Sequence, residues 1–421
     1  MSKLIILGLD GVSYSLIKKM SDRGVMPNFR NLANEGYFVK MRSSLPEVSS
    51  VSWSSIITGC NPGIHSVFGF TDIIPGTYSI SYHNIRKLRS PPFWSNNSNK
   101  KYIIINVPST YPAQPLNGFM VTGFVSPDLK RAVYPKEYVA LLSQINYKVD
   151  VDVDLAHRSK YALVDELFEC LGTRVRLYRY LWDHLKWDVF MFVITGTDRL
   201  GHFLWDAYVN SKSEFHDAFI QFFKAVDFII GEINRKMNED DLLVILSDHG
   251  MELKKVNVNL NLYLMKEGYL KLSDISKKYN GIEKDTVAFV LDPARVYLNY
   301  ERRYPRGSVK KSERDKLLDD LTNLFYDLKY NGERVIKKVY RREEIYRGPY
   351  VEYGPDLVLV PESGFNLTGR VNVDSLFDKD DLTGMHNPEA FLYIKGDIQQ
   401  SKYELDNVSV ENVLKIIGIG E

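Results

Sequence analysis

The chain has only two cysteines in 421 residues, Cys60 and Cys170. That is too few for a disulfide framework or a thiolate metal cluster, and it suits a reducing compartment. Any metal held by this chain must therefore be bound through His, Asp and Glu. Net charge is also scarce. The 54 Lys and Arg against 53 Asp and Glu leave +1, which gives no electrostatic reason to expect a nucleic acid polymer or an anionic membrane as a partner. A small anionic substrate needs only local positive charge and stays open. No apolar run approaches the ~20 residues of a membrane span. The N-terminal MSKLIILGLDG reaches Asp10-Gly11 too early for a signal peptide, so the expected location is the cytoplasm. Internal repeats and low-complexity tracts are missing as well.

What is present describes a globular α/β protein. The hydrophobic content of 44% and charged content of 25% are ordinary, and the length allows one large domain with insertions or two to three smaller ones. Continuous apolar runs at Lys3–Leu9, Lys101–Val107, Trp187–Thr195 and Leu242–Leu246 read as strands buried on both faces. Further strands are expected at Tyr37–Met41, Gly118–Thr122, Pro355–Pro361 and Ala390–Ile394. Apolar residues at helical spacing predict long helices over Leu163–Leu185 and Phe215–Ile233 and a short one over Val408–Ile417. The alternation predicts a mostly parallel central sheet flanked by helices. Residues 1–250 and 348–421 are expected to form the core. Residues 71–100 read as an irregular excursion near the site, and the Lys-, Arg- and Tyr-rich 251–347 as an insertion or small subdomain with a charged helix over Ser312–Leu328. The alternating acidic stretch Val149–Asp154 lacks the Gly and Glu spacing of a calcium loop and reads as a solvated edge. Arg199, Arg302-Arg303 and Arg341-Arg342 read as solvated faces.

The stretch Leu45–Phe70 carries five serines through Ser55 and then breaks at Thr58-Gly59, Asn61-Pro62-Gly63 and His65. A hydroxyl on such a turn can sit at a helix N-terminus, where backbone N–H groups favour an oxyanion or phosphate. Taken alone, serines before a helix are usually caps. Strand ends and one late loop supply metal-type ligands: Asp10, Asp198 with His202, Asp248 with His249, and His386. Asp198 and His202 are four apart and share a helix face if a helix begins there. Ligands bind at that end of the strands in open α/β sheets. His65 reads as a turn or helix-end contact. Trp53, Phe68 and Phe70 are either packing residues or an aromatic wall for a substrate group.

The motifs LDG at Leu9–Gly11, P-x-x-S…TG..PG.H, D-x-x-x-H at Asp198–His202, SDHGM at Ser247–Met251 and TGMHNPEAF before a strand resemble the alkaline phosphatase superfamily. The likeness is greatest to the type I phosphodiesterase/nucleotide pyrophosphatase branch and its prokaryotic members. The resemblance covers nearly the whole chain in order. It implies an alkaline phosphatase-like fold with inserted cap segments and two divalent ions, one on Asp198, His202 and His386, the other on Asp10, Asp248, His249 and the nucleophile. Counting nine back from Thr58 places that nucleophile at Ser49, with Ser50 its neighbour. Ser52 takes the position of the family's oxyanion-contacting Asn. The implied activity is hydrolysis of small phosphate esters, as a phosphodiesterase or nucleotide pyrophosphatase, through a phosphoserine. A phosphomonoesterase or phosphomutase on the same core, or a non-catalytic metal scaffold, are the alternatives. A donor set of N and O atoms fits Zn, Mn or Fe and does not choose among them; zinc is taken as the first expectation. The sulfatase signature Cys/Ser-x-Pro-x-Arg is absent after Ser49, where the chain reads Ser50-Val51-Ser52-Trp53.

Overall fold

A computed structural model of the chain describes residues 2–95, 99–398, 405 and 407–419. Residues 96–98 of the expected excursion, and 399–404, 406 and 420–421 of the expected core, lie outside the described residues. The chain divides into two compact units. One is formed by Met1–Cys60, Asn84–Glu252 and Asp381–Glu421, the other by Asn61–His83 and Leu253–Asp380.

The first unit is built on a nine-stranded sheet. Its strand order is Val408–Ser409, β2 (Tyr37–Arg42), Glu389–Lys395, Leu242–Leu246, β1 (Leu4–Leu9), Val189–Ile194, Tyr102–Val107, Gly118–Thr122 and Val133–Tyr134. The five strands from Leu242–Leu246 to Gly118–Thr122 are parallel to one another. β1 shows why its sequence is continuously apolar. Ile5, Leu7 and Leu9 enter one core with the helices Lys160–His184, Gly196–Val209 and His216–Lys236. Leu4 and Ile6 enter the core on the opposite face, with Ile56 and Ile57 of α3 (Ser49–Thr58), the helix that follows α1 (Tyr14–Asp22) and α2 (Pro27–Glu35) in the chain. Strand side chains alternate between faces, and with both faces covered no position of β1 is left for a polar residue.

Register fixes the site. Gly8 lies opposite both Val193 and Leu246, so β1 and its two neighbours end at one edge. Three separate turns, carrying Asp10, Asp198 and Asp248-His249, are delivered to that edge. Gly8 itself must lack a side chain, since a Cβ there would lie 2.4 Å from Cη2 of the buried Trp53.

The second unit holds a four-stranded antiparallel sheet in the order Ala288–Leu291, Arg295–Leu298, Leu357–Pro361 and Ile336–Arg341. Leu318, Leu321 and Phe325 of the helix Arg314–Asp327 pack into its core. This unit takes in more chain than the 251–347 insertion expected from composition. The reason is that Leu357–Pro361 pairs with both Arg295–Leu298 and Ile336–Arg341, and Phe365–Thr368 pairs with Val256–Asn259. Part of the excursion after Phe70 is also ordered here, as a hairpin of Thr71–Ile73 and Ile80–Tyr82.

Two local expectations change. The stretch after Val149 is exposed at Asp152, Val153 and Asp154 but is no strand edge: Asp152 accepts from the Leu155 amide and caps a helix over Val153–Arg158, and Asp150 pairs with Arg199. At the C-terminus, Val408 pairs with Met41 as a strand, and Asn412 binds the Ser409 amide and hydroxyl. The helix there shortens to Val413–Ile416.

Candidate active site

α3 starts directly at Ser49. Val48 is extended at the cap position, and Gly59 ends the helix in the left-handed region at φ 65°. Ser49 therefore sits in the first turn, where unpaired N–H groups favour negative charge. Its Oγ lies 3.0 Å from His249 Nε2 and 3.3 Å from Asp10 Oδ1. The neighbouring Ser50 hydroxyl is buried and has no hydrogen bond among the described residues. Ser52 faces away: its hydroxyl bonds those of Ser43, at 3.0 Å, and Ser44, at 2.7 Å. It is a strut for the chain entering the helix and makes no bond to Ser49 or the carboxylates.

The side chains expected to bind metal come together as two overlapping groups, Asp198 with His202 and His386, and Asp10 with Asp198 and His249. Asp198 Oδ1 is 3.3 Å from Nε2 of both His202 and His386. Asp248 completes the second group, its Oδ2 being 3.3 Å from His249 Nε2 while its Oδ1 accepts from the Gly11 amide at 3.1 Å. Gly11 adopts φ +70°, and a Cβ there would meet the Asp198 backbone at 3.0 Å. The first two turns thus touch only because this residue has no side chain.

Orientation of the histidines shows what the pocket suits. Each has its Nδ1 on a backbone carbonyl: His249 on Gly250 at 3.0 Å, His386 on Glu47 at 2.7 Å and His202 on Gly384 at 3.3 Å. An Nδ1–H donating to a carbonyl leaves the Nε2 of a neutral ring as an acceptor. Yet Nε2 of His202 and His386 face each other at 2.9 Å. Oδ1 of Asp198 and Oδ2 of Asp248 are buried with no hydrogen bond. Nitrogen and oxygen donors converging at this spacing suit a divalent cation, and the N and O donor set fits Zn, Mn or Fe.

Electrostatics agree. Burial pushes the Asp248 carboxyl up to about 7, aided by Asp198 and opposed by the Gly11 amide. Burial, then Asp248 and Asp198, raise Asp10 well above the carboxylate range. Burial also opposes ionisation of Asp198, but His202 and His386 outweigh it and hold that carboxyl well below its ordinary value. Burial, reinforced by His386, holds His249 neutral. Burial opposes protonation of His386, but Asp198 outweighs it and raises that ring, and the crowded carboxylates around the neutral His249 would be relieved by positive charge at their centre.

Of the expected aromatic wall, Trp53 and Phe68 prove to be packing residues. Trp53 is fully buried, and its Nε1–H donates to Asp10 Oδ2 at 3.0 Å. Phe68 is buried in the second unit, edge-on to Tyr346 at 5.1 Å. Phe70 belongs to the same unit and is half-buried. His65 makes the expected turn contact, accepting the Val67 amide at 3.1 Å. Sequence reasoning missed three residues. Trp53 holds Asp10, and the signal was available: it lies one helical turn after Ser49, on the same face. Glu47, whose carboxyl burial pushes up to about 7, lends its carbonyl to His386. Arg199, expected on a solvated face, is mostly enclosed and bound by Asp150.

A family model described as type I phosphodiesterase / nucleotide pyrophosphatase matches residues 4–389. The chain belongs to this family. As a type I phosphodiesterase family member it is a phosphoester hydrolase. No curated protein matches the sequence. Among solved structures, the chain is similar to phosphonoacetate hydrolase from Sinorhizobium meliloti 1021 in complex with phosphonoacetate, with a TM-score of 0.68 and 14% identity over 99% of this chain and 95% of that one. It is similar also to wild-type alkaline phosphatase PafA, with a TM-score of 0.64 and 13% identity over 100% and 96%. Murine ectonucleotide pyrophosphatase / phosphodiesterase 5 gives 0.57 and 13% over 100% and 96%. These likenesses establish the alkaline phosphatase-like fold of this family member. Among its described residues no helix is long and apolar enough to cross a membrane.

Proposed function

We propose that the protein is a two-metal phosphodiesterase, or nucleotide pyrophosphatase-like hydrolase, acting on small phosphate esters through a phosphoserine at Ser49. The observation that carries this reading is the placement of the Ser49 hydroxyl in the first turn of α3, 3.0 Å from His249 Nε2 and 3.3 Å from Asp10 Oδ1. Asp198, His202 and His386 would hold one divalent cation, and Asp10, Asp248, His249 and Ser49 the other, with Asp198 within reach of both groups and zinc first among the metals that fit. Bound there, such ions would supply positive charge to neutralise the oxygens that gain charge in the displacement.

The chain's own residues do the rest. The Ser49 O–H donates to Asp10 Oδ1, and a carboxylate oxygen keeps a second lone pair when it ligates a cation, so the proton lost when Oγ bonds phosphorus has a place to go. The bond from phosphorus to the leaving oxygen then breaks, and the alcohol or phosphate product departs with a proton. Water attacks the phosphoserine in a second displacement, breaks the Oγ–P bond and restores the hydroxyl. The N-terminal turn of α3 stabilises negative charge beside Ser49 in both steps. Only two cysteines in 421 residues support a reducing compartment, which the reading takes to be the cytoplasm.

The test is hydrolysis of chromogenic phosphate mono- and diesters with Zn, Mn or Fe, repeated on Ser49→Ala. Diester hydrolysis should exceed monoester hydrolysis. The variant should lose at least about a thousandfold in kcat, in keeping with loss of a nucleophile, while still binding cation. Full activity in Ser49→Ala would remove the nucleophile from the scheme, and a preference for monoesters would favour a phosphomonoesterase.

A further inference from the structure

Arg199 follows the carboxylate common to both ligand groups, and nothing in the hydrolytic scheme uses it. Its Nε lies 3.0 Å and its Nη2 2.6 Å from Asp150 Oδ2, and the guanidinium carbon is 4.7 Å from the centre of the Phe124 ring. The third nitrogen, Nη1, stands 3.5 Å from Asp198 Oδ2. Asp150 is anchored in turn. The fully buried Arg174 binds the Val149 carbonyl, and Lys148 binds Glu166 and Glu169. A cavity of about 530 Å³ opens beside this group, lined by Phe124, Val125, Tyr147 and Arg199 among others. Arg199 could serve a ligand in that cavity or serve Asp198. Charge decides between them: the guanidinium already faces two carboxylates and has no positive charge to spare for an anion.

We propose that Arg199 is a positioning residue: clamped by Asp150 and the Phe124 ring, it holds Oδ2 of Asp198 so that Oδ1 is presented to both ligand groups. This rests on the two-cation reading above. A carboxylate with one oxygen held by a cation has a single orientation. Asp198 belongs to both groups, so loss of that hold should loosen both cations together. Lysine at 199 would keep the charge but not the planar fork, and so could not span Asp150 and Asp198 at once.

The experiment measures Zn²⁺ binding to metal-stripped full-length protein by competition with a colorimetric chelator, with unfolding midpoints recorded without metal. Wild type should bind two Zn²⁺. Arg199→Met, and the isosteric Asp150→Asn that guards against misfolding, should each weaken both sites about 10- to 100-fold. Arg199→Lys should recover only part of that loss, and the double variant Asp150→Asn/Arg199→Met should be no weaker than Arg199→Met alone. Wild-type Zn²⁺ affinity in folded Arg199→Met or Asp150→Asn overturns the positioning role while leaving the two-cation reading intact. So does full recovery with lysine, or weakening confined to one site. A wild-type protein that binds no divalent cation overturns both.

Discussion

Trp53 shows how much of this site is set by groups that never touch substrate. Its indole is enclosed between β1 and α3, and its one polar atom reaches Asp10, so the ring fixes one carboxylate oxygen and leaves the other to Ser49 and His249. Trp53→Phe keeps most of the packing and deletes the donor, leaving a buried carboxylate oxygen without its partner. Zn²⁺ affinity should fall about 10- to 100-fold, read by chelator competition, with kcat falling alongside. Unchanged affinity would mean that Asp10 is oriented by its backbone alone. At the same scale, it is the Ser49 hydroxyl and not that of Ser50 that meets Asp10 and His249, and the reason is the first turn of a helix. Adjacent residues there point about 100° apart, so only one of the two hydroxyls can face the carboxyl edge of the sheet.

At the scale of elements, β1, Val189–Ile194 and Leu242–Leu246 were legible because strands buried on both faces admit no polar residue. Their ends were legible because Asp-Gly, Thr-Asp and Ser-Asp-His interrupt the runs so sharply. The acidic stretch after Val149 was not legible, since an Asp that caps a helix and one that clamps an arginine look alike in sequence. The turn Asn61–Ser66 carries a separate electrostatic consequence. Burial, with His83 adding to it, lowers His65 to about 3. Above pH 6.5 the ring is neutral in both folded and unfolded chains and contributes no pH dependence. As pH falls from 6.5 toward 3, the unfolded chain takes up a proton that the folded chain refuses, so stability declines by up to roughly 1.4 kcal/mol per pH unit. Between pH 6.5 and 5 that amounts to about 2 kcal/mol. Urea unfolding at both pH values should show His65→Asn losing less stability over this interval than wild type by that amount, and parallel losses would show that the ring is solvated.

For the molecule as a whole, the proposed two-cation site at the three buried aspartates and three histidines would make cation binding part of stability. Free Zn²⁺ at about a hundred times its dissociation constant should stabilise the folded chain by about 2.7 kcal/mol per site. Chelation should therefore lower the thermal midpoint, and added Zn²⁺ should raise it in a concentration-dependent way. Scanning fluorimetry with and without chelator checks this, and a midpoint indifferent to both would argue against bound cations. The division of the chain is also a whole-molecule property. Composition marked the region after Met251 as different, but only strand pairing carries Leu357–Pro361 and Phe365–Thr368 into the second unit.

The amino-acid sequence by itself determined the mostly parallel sheet and the residues offered at its carboxyl edge. Both follow from local pattern: uninterrupted apolar runs must be covered on both faces, and ionisable residues at their ends must stay at the edge. Tertiary structure alone decided that Asp198 is common to both ligand groups, that Trp53 and Arg199 hold the carboxylates, and that Ser52 turns back to Ser43 and Ser44. Those contacts depend on side-chain direction. Direction is set where turns far apart in sequence are packed together, as Ser49 and His249 are across 200 residues, and no local pattern encodes it.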